Sequence, residues 1–135
     1  MGRSLILDTN ILITVERGSI NLGDFIKRGD DVAIAGVTLA EYRLGIHLDP
    51  NPERQELREN TLTVMLQDIE VLDYTEETAF YHARLMASTR QEGSKRQAHD
   101  LIIAAHAVQT GRILVSHDAA ARFGNLPGVR YLDVP

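Results

Sequence analysis

The chain has no cysteine and no tryptophan, only 5% of its residues are aromatic, and its apolar runs are short. The lack of cysteine excludes a disulfide framework, a thiolate zinc site and a thiol nucleophile. Nothing approaches the roughly 18 apolar residues that cross a bilayer. A basic excess is also missing: 14 Lys+Arg stand against 19 Asp+Glu, for a net charge of −5. That balance argues against a nonspecific nucleic-acid coat, which rests on a basic surface. It does not exclude a nuclease, because carboxylates that hold divalent cations count as negative in a tally while the bound ion reverses the local field. The opening Met1-Gly2-Arg3-Ser4-Leu5-Ile6-Leu7-Asp8 lacks the apolar core and small-residue exit of a signal peptide. A cytoplasmic protein is expected.

What is present is the make-up of an ordinary folded domain, with 44% hydrophobic and 24% charged residues in 135. A single domain over 1–135 is expected, burying roughly two thirds of its unfolded surface. Leu5-Ile6-Leu7, Val32-Ala33-Ile34-Ala35 and Ile113-Leu114-Val115 are continuous apolar runs that read as buried strands. Val71-Leu72 and Val129–Leu132 read as shorter ones. Helices are predicted over Ile11–Arg17, Leu22–Arg28, Thr38–His47, Glu53–Ile69, Glu76–Gln91 and Leu101–Val108, with a short one before Phe123. The fourth carries Leu57, Thr61, Val64, Met65 and Ile69 as its apolar stripe, and the fifth Ala79, Ala83 and Met86. Alternating strands and helices, with strands apolar throughout, predict an α/β three-layer sandwich around a mainly parallel sheet.

Open α/β sheets place ligand sites beyond the carboxyl ends of their strands. Asp8 follows the first strand, Asp118 follows the strand at 113–115, and Glu41 lies about one helical turn past the strand at 32–35. Asp100, in the first turn of a buried helix, reaches the same edge if that helix crosses back to the sheet. Each acid also has a structural explanation: Asp8 as a turn residue, Thr38 and Glu41 as a capping box, Asp100 and Asp118 at helix N-termini. Clustered carboxylates repel unless protonated or bound to cations. Oxygen donors without Cys or paired His suit Mg²⁺ or Mn²⁺ rather than zinc.

Four blocks carry a resemblance: Leu-Ile-Leu-Asp-Thr-Asn (5–10), Val-Thr-Leu-Ala-Glu-Tyr-Arg-Leu-Gly (37–45), His-Asp-Leu-Ile-Ile-Ala-Ala-His-Ala (99–107) and Leu-Val-Ser-His-Asp (114–118). In order and over the whole length, the chain resembles the PIN-domain family, and within it the VapC toxins of bacterial toxin–antitoxin pairs. The resemblance implies a PIN-like fold and a Mg²⁺-dependent endoribonuclease, with Mn²⁺ able to substitute. Its acids would be Asp8, Glu41, Asp100 and Asp118, with Asp8 and Asp100 the direct metal ligands. It implies a cognate antitoxin packed on the helix pair 38–48 and 53–69, and a homodimer. One departure is the spacing from Asp118 to Phe123, a residue longer than the family commonly has.

Around the acids, Lys95, Arg96 and Arg43 are candidate substrate contacts, with solvated helix and loop charges as the alternative. His99 and His117 flank acids and are candidate phosphate contacts, and His106 is expected to pack. His47 and His82 carry no signal, and Glu53, Glu56 and Glu59 read as a solvated face. With few aromatics and no long basic face, single-stranded or looped RNA is expected over duplex. Two other readings stay open: a phosphatase or receiver-like domain built on Asp8, and a degenerate PIN-fold scaffold that binds a partner without catalysis. The first lacks a second Asp in Asp8-Thr9-Asn10 and a Lys after a late strand.

Overall fold

The structure is a computed structural model that describes residues 2–117 and 121–134. Five strands, β1 (Ser4–Leu7), β2 (Asp31–Ala35), β3 (Glu70–Leu72), β4 (Ile113–Ser116) and β5 (Arg130–Asp133), form one sheet in the order β3-β2-β1-β4-β5. Every pairing is parallel. The helices are α1 (Thr9–Glu16), α2 (Gly36–His47), α3 (Pro52–Met65), α4 (Glu76–Glu92) and α5 (Ala98–Thr110).

Each central strand buries both faces, because successive side chains point to opposite sides of a sheet. Leu5, Leu7, Val32, Ile34 and Val115 face the layer that holds Ile11, Leu12, Tyr42, Ile46 and Leu62. Ile6, Ala35 and Leu114 face the other layer, which holds Leu85, Leu101, Ile103, Ala104 and Ala105. Alanine on both sides of that second interface lets the apolar α5 lie close to the sheet. The three-layer parallel architecture expected from the sequence is present.

Three local expectations fail. The helix predicted over 22–28 shrinks to a 3-10 turn at Leu22–Asp24, and Phe25 and Ile26 fold under the sheet instead. The α3 stripe splits: Met65 and Ile69 pack inward with Leu62, whereas Leu57 and Val64 are 65% and 62% exposed. On α4 the buried line is Thr78, Leu85 and Thr89, and Ala83 faces out.

At the amino edge of the sheet, opposite the acids, Arg112 is buried and acts as a strap. Its Nη1 donates to the carbonyls of Leu5 and Asp31, both at 3.1 Å, and its Nη2 reaches Asp31 Oδ2 at 3.2 Å and Glu70 Oε2 at 3.4 Å. Both carboxylates are more than half exposed, so screening leaves the ion pairs weak and the carbonyl bonds dominant. Arg112→Met should therefore lower stability by about 1–3 kcal/mol in urea unfolding. An unchanged midpoint would show that the strap is dispensable.

Candidate active site

Chain order sets the site. The chain runs outward from β1 to β2 and β3, then crosses back to place β4 on the other side of β1, so the strand order reverses between β1 and β4. Leu7 is in register with Val115, and the Asp8 amide donates to the Val115 carbonyl at 3.1 Å. Asp8 and Ser116 therefore leave the sheet side by side at its carboxyl edge.

Asp8 is 3% exposed and caps α1, its Oδ1 accepting from the Ile11 amide at 3.0 Å. Its Oδ2 accepts from the Ser116 hydroxyl at 2.5 Å. A buried carboxylate needs such donors to offset lost hydration. Nearby, the Tyr131 hydroxyl donates to Asp133 Oδ1 at 3.0 Å and is pushed up to about 12, first by burial, then by Asp133, with a smaller contribution from Asp8. It stays protonated at neutral pH.

Glu41 arrives from the other side of β1. The capping box expected at Thr38 does not form, because β2 runs straight into α2, which starts at Gly36 with Ala35 as its N-cap. Glu41 is held by two residues instead. The Thr9 hydroxyl donates to its Oε1 at 2.8 Å and lies 3.3 Å from the Thr38 hydroxyl. His99 Nδ1 sits 3.0 Å from its Oε2.

Asp8, Glu41 and Asp100 line one open cleft of about 370 Å³ together with Thr9, Asn10, Leu44, Gln97 and His99. Asp100 enters from the first turn of α5, as the sequence placed it. Asp118, the fourth expected acid, lies outside the described residues. A second cavity of about 280 Å³, lined by residues such as Tyr81, Arg84 and Val108, carries no acid.

Among the described residues no group of three or more His, Asp or Glu is arranged to hold a metal on its own. The donor chemistry nevertheless suits a hard cation: three carboxylates converge on one cleft with no thiolate and a single imidazole. The cleft is also where a parallel sheet collects charge of one sign, and a divalent ion relieves that repulsion.

The expected substrate contacts divide. Lys95 is exposed. Arg43 is tied to Glu59 at 2.8 Å. Arg96 is a structural clamp, its Nη1 donating to the carbonyls of Ala121 and Arg122 at 2.5 and 2.8 Å. His117 Nε2 rests 2.8 Å from the Thr14 hydroxyl. His106 packs in the core as expected, edge-on to Tyr74, and burial pushes its imidazole down. Thr9 and Ser116 were not singled out from the sequence as site residues. Their signal is positional only: Thr9 follows Asp8, and Ser116 ends the strand paired with β1.

The model of the family described as PIN domain matches residues 5–126. Ribonuclease VapC2 of Haemophilus influenzae is 30% identical over 114 residues, which cover 83% of this chain and 84% of that protein. The tRNA(fMet)-specific endonuclease VapC of Salmonella typhimurium is 28% identical over 131 residues, covering 94% and 95%. Among solved structures, VapBC2 from Rickettsia felis bound to a promoter DNA fragment matches with a TM-score of 0.86 over 98% of this chain and 99% of that one, at 22% identity. That likeness carries the fold alone. DNA-bound VapBC from Salmonella typhimurium matches at 0.76 with 26% identity, covering 98% of each chain. The chain belongs to the PIN-domain family, in its VapC branch.

Arg96 provides a test of the site's scaffolding. Arg96→Ala should lower stability by about 1–2 kcal/mol in chemical denaturation, since two carbonyls lose a charged donor. Unchanged stability combined with weakened RNA binding would return Arg96 to the substrate path.

Proposed function

We propose that this protein is a Mg²⁺-dependent endoribonuclease, with Mn²⁺ able to substitute, that cuts single-stranded or looped RNA as the toxin of a toxin–antitoxin pair. The carrying observation is the convergence of Asp8, Glu41 and Asp100, from three separate segments, on one cleft at the switch point of the sheet. With Asp118 they form the proposed catalytic set, and Asp8 and Asp100 are the proposed metal ligands. A divalent ion held there supplies an activated water, neutralises the charge developing on the phosphate and stabilises the leaving oxygen. The chain's own residues do the positioning. Ser116 and the α1 amino end fix Asp8, while Thr9 fixes Glu41, with His99 lying against its other oxygen.

The partner reading is a cognate antitoxin seated on α2 and α3. Leu44 on α2, Leu48 just past its end, and Leu57 and Val64 on α3 are all more than half exposed, and exposed apolar side chains on one helix pair are suited to a protein partner. A solved relative from Mycobacterium tuberculosis, described as a member of the VapBC family of toxin–antitoxin systems, supports a partner of this class. We also infer a homodimer, a single domain over 1–135 and a cytoplasmic location. No helix among the described residues is long and apolar enough to cross a membrane. The tRNA named for the Salmonella relative makes a structured RNA with exposed loops the first substrate to try.

Two outcomes test this reading. RNA cleavage should vanish in EDTA and return with Mg²⁺ or Mn²⁺, and full activity in metal-free chelator would sink the mechanism. Asp100→Asn keeps the shape of the side chain and removes one charge from a crowded edge. It should abolish cleavage while leaving the metal-free protein within about 1 kcal/mol of the parent's stability. Mg²⁺ should raise the melting temperature of the parent far more than that of the variant. A variant that still cuts RNA and still responds to Mg²⁺ would remove Asp100 from the site.

A further inference from the structure

We infer that His99 is a substrate-contacting residue that selects RNA over DNA by pairing its Nε2 with a ribose 2′-hydroxyl, while Glu41 orients the ring through Nδ1. The inference rests on the nuclease reading of the same cleft. His99 lines the cleft between Glu41 and Asp100, and its Nδ1 lies 3.0 Å from Glu41 Oε2. The two ring nitrogens of imidazole face opposite ways. Nδ1 lies against Glu41, and Nε2, on the opposite side of the ring, is directed away from it, on a side chain that is 51% exposed. Among the described residues Nε2 meets no protein partner, in contrast to His117, whose Nε2 is taken up by Thr14. A carboxylate that fixes one nitrogen and leaves the other for a ligand is a common way to aim an imidazole.

The 2′-hydroxyl is the backbone group that suits this nitrogen, because it is both donor and acceptor. Neutral Nε2 accepts from it and protonated Nε2 donates to it, so the contact survives either state of the ring. A phosphate oxygen accepts only. Direct hydrogen bonding also fits a protein of net charge −5, in which nonspecific attraction to the backbone is weak.

The test separates the two nitrogens. Asn at position 99 puts an amide NH₂ near the place of Nδ1 and nothing at Nε2, so His99→Asn keeps the Glu41 contact and deletes the proposed one. Binding of a fluorescein-labelled, randomised 14-nucleotide RNA and its DNA counterpart is measured by anisotropy in Mg²⁺. Both proteins carry Asp100→Asn, which keeps the probe intact. The Asp100→Asn protein should prefer RNA by about three- to tenfold, the value of one hydrogen bond. Adding His99→Asn should bring the ratio to within about twofold of unity by weakening RNA binding alone, with the Mg²⁺-dependent melting shift of a His99→Asn single variant kept. An RNA preference that persists in the double variant overturns the inference, as does equal binding of RNA and DNA before His99 is changed. Cleavage of RNA by the parent in Mg²⁺ is measured in parallel. Its absence would overturn the nuclease reading, whereas cleavage with a persistent RNA preference would overturn only the role of His99.

Discussion

The register between β1 and β4 holds the rest of the structure in place. Leu7 opposite Val115 brings Asp8 and Ser116 out of the sheet together, and the 2.5 Å bond between them closes the sheet's carboxyl edge. The same alignment sorts the core. Leu5 and Leu7 fill the layer under α1 and α2, while Ile6 meets the alanines of α5. A slip of one residue in either strand flips every side chain to the opposite face, driving leucines into the close α5 interface and moving the carboxylate off the edge. Core packing and acid placement are thus one constraint, and the second comes with the first.

That edge is built around anions. Asp8 is almost wholly buried, a position that costs several kcal/mol for an unsupported charge. Its support is local and rigid: the first turn of α1, whose amide dipoles favour negative charge, and a serine on a buried strand. Glu41, on a different helix, is held by side chains from α1 and α5. Each acid takes its position from a separate element, and the sheet brings those elements together. The arrangement is therefore set by the fold itself, which is what electrostatic preorganisation would require of the proposed site.

Much of this was legible in the sequence, and the failures lie where tertiary contacts override local pattern. Apolar runs of three or four residues marked all three strong strands, and Asp8 and Glu41, just past two of those runs, line the cleft. Periodicity gives the spacing of a helix's apolar positions but leaves its phase ambiguous where alanines and threonines are mixed. On α4 the buried positions include Thr78, which donates to Gln109 on α5 at 2.6 Å, while Ala83 faces solvent. The segment expected as a helix over 22–28 keeps only a 3-10 turn at 22–24, because Phe25 and Ile26 are drawn into the core under the sheet. The bonds that define the site were out of reach of local spacing. Thr9 and Glu41 are 32 residues apart, and Ser116 and Asp8 are 108 apart.

The sequence misleads most over its cations. Arg43 and Arg96 stand beside the acids and look like phosphate contacts, yet one is paired with Glu59 and the other clamps two carbonyls. Arg3, Arg54, Arg58 and Arg112 are likewise engaged with protein carboxylates or carbonyls. Each ion pair also offsets a carboxylate, so pairing leaves the net charge at −5 and takes these arginines away from direct phosphate contact. A net charge of −5 disfavours binding a polyanion by charge alone. In the proposed reading, a cation held by the carboxylates and a few directed hydrogen bonds at the mouth of the cleft take that part. Recognition of that kind depends on the shape and hydroxyl chemistry of the substrate, and it gives selectivity where a basic surface would give only affinity.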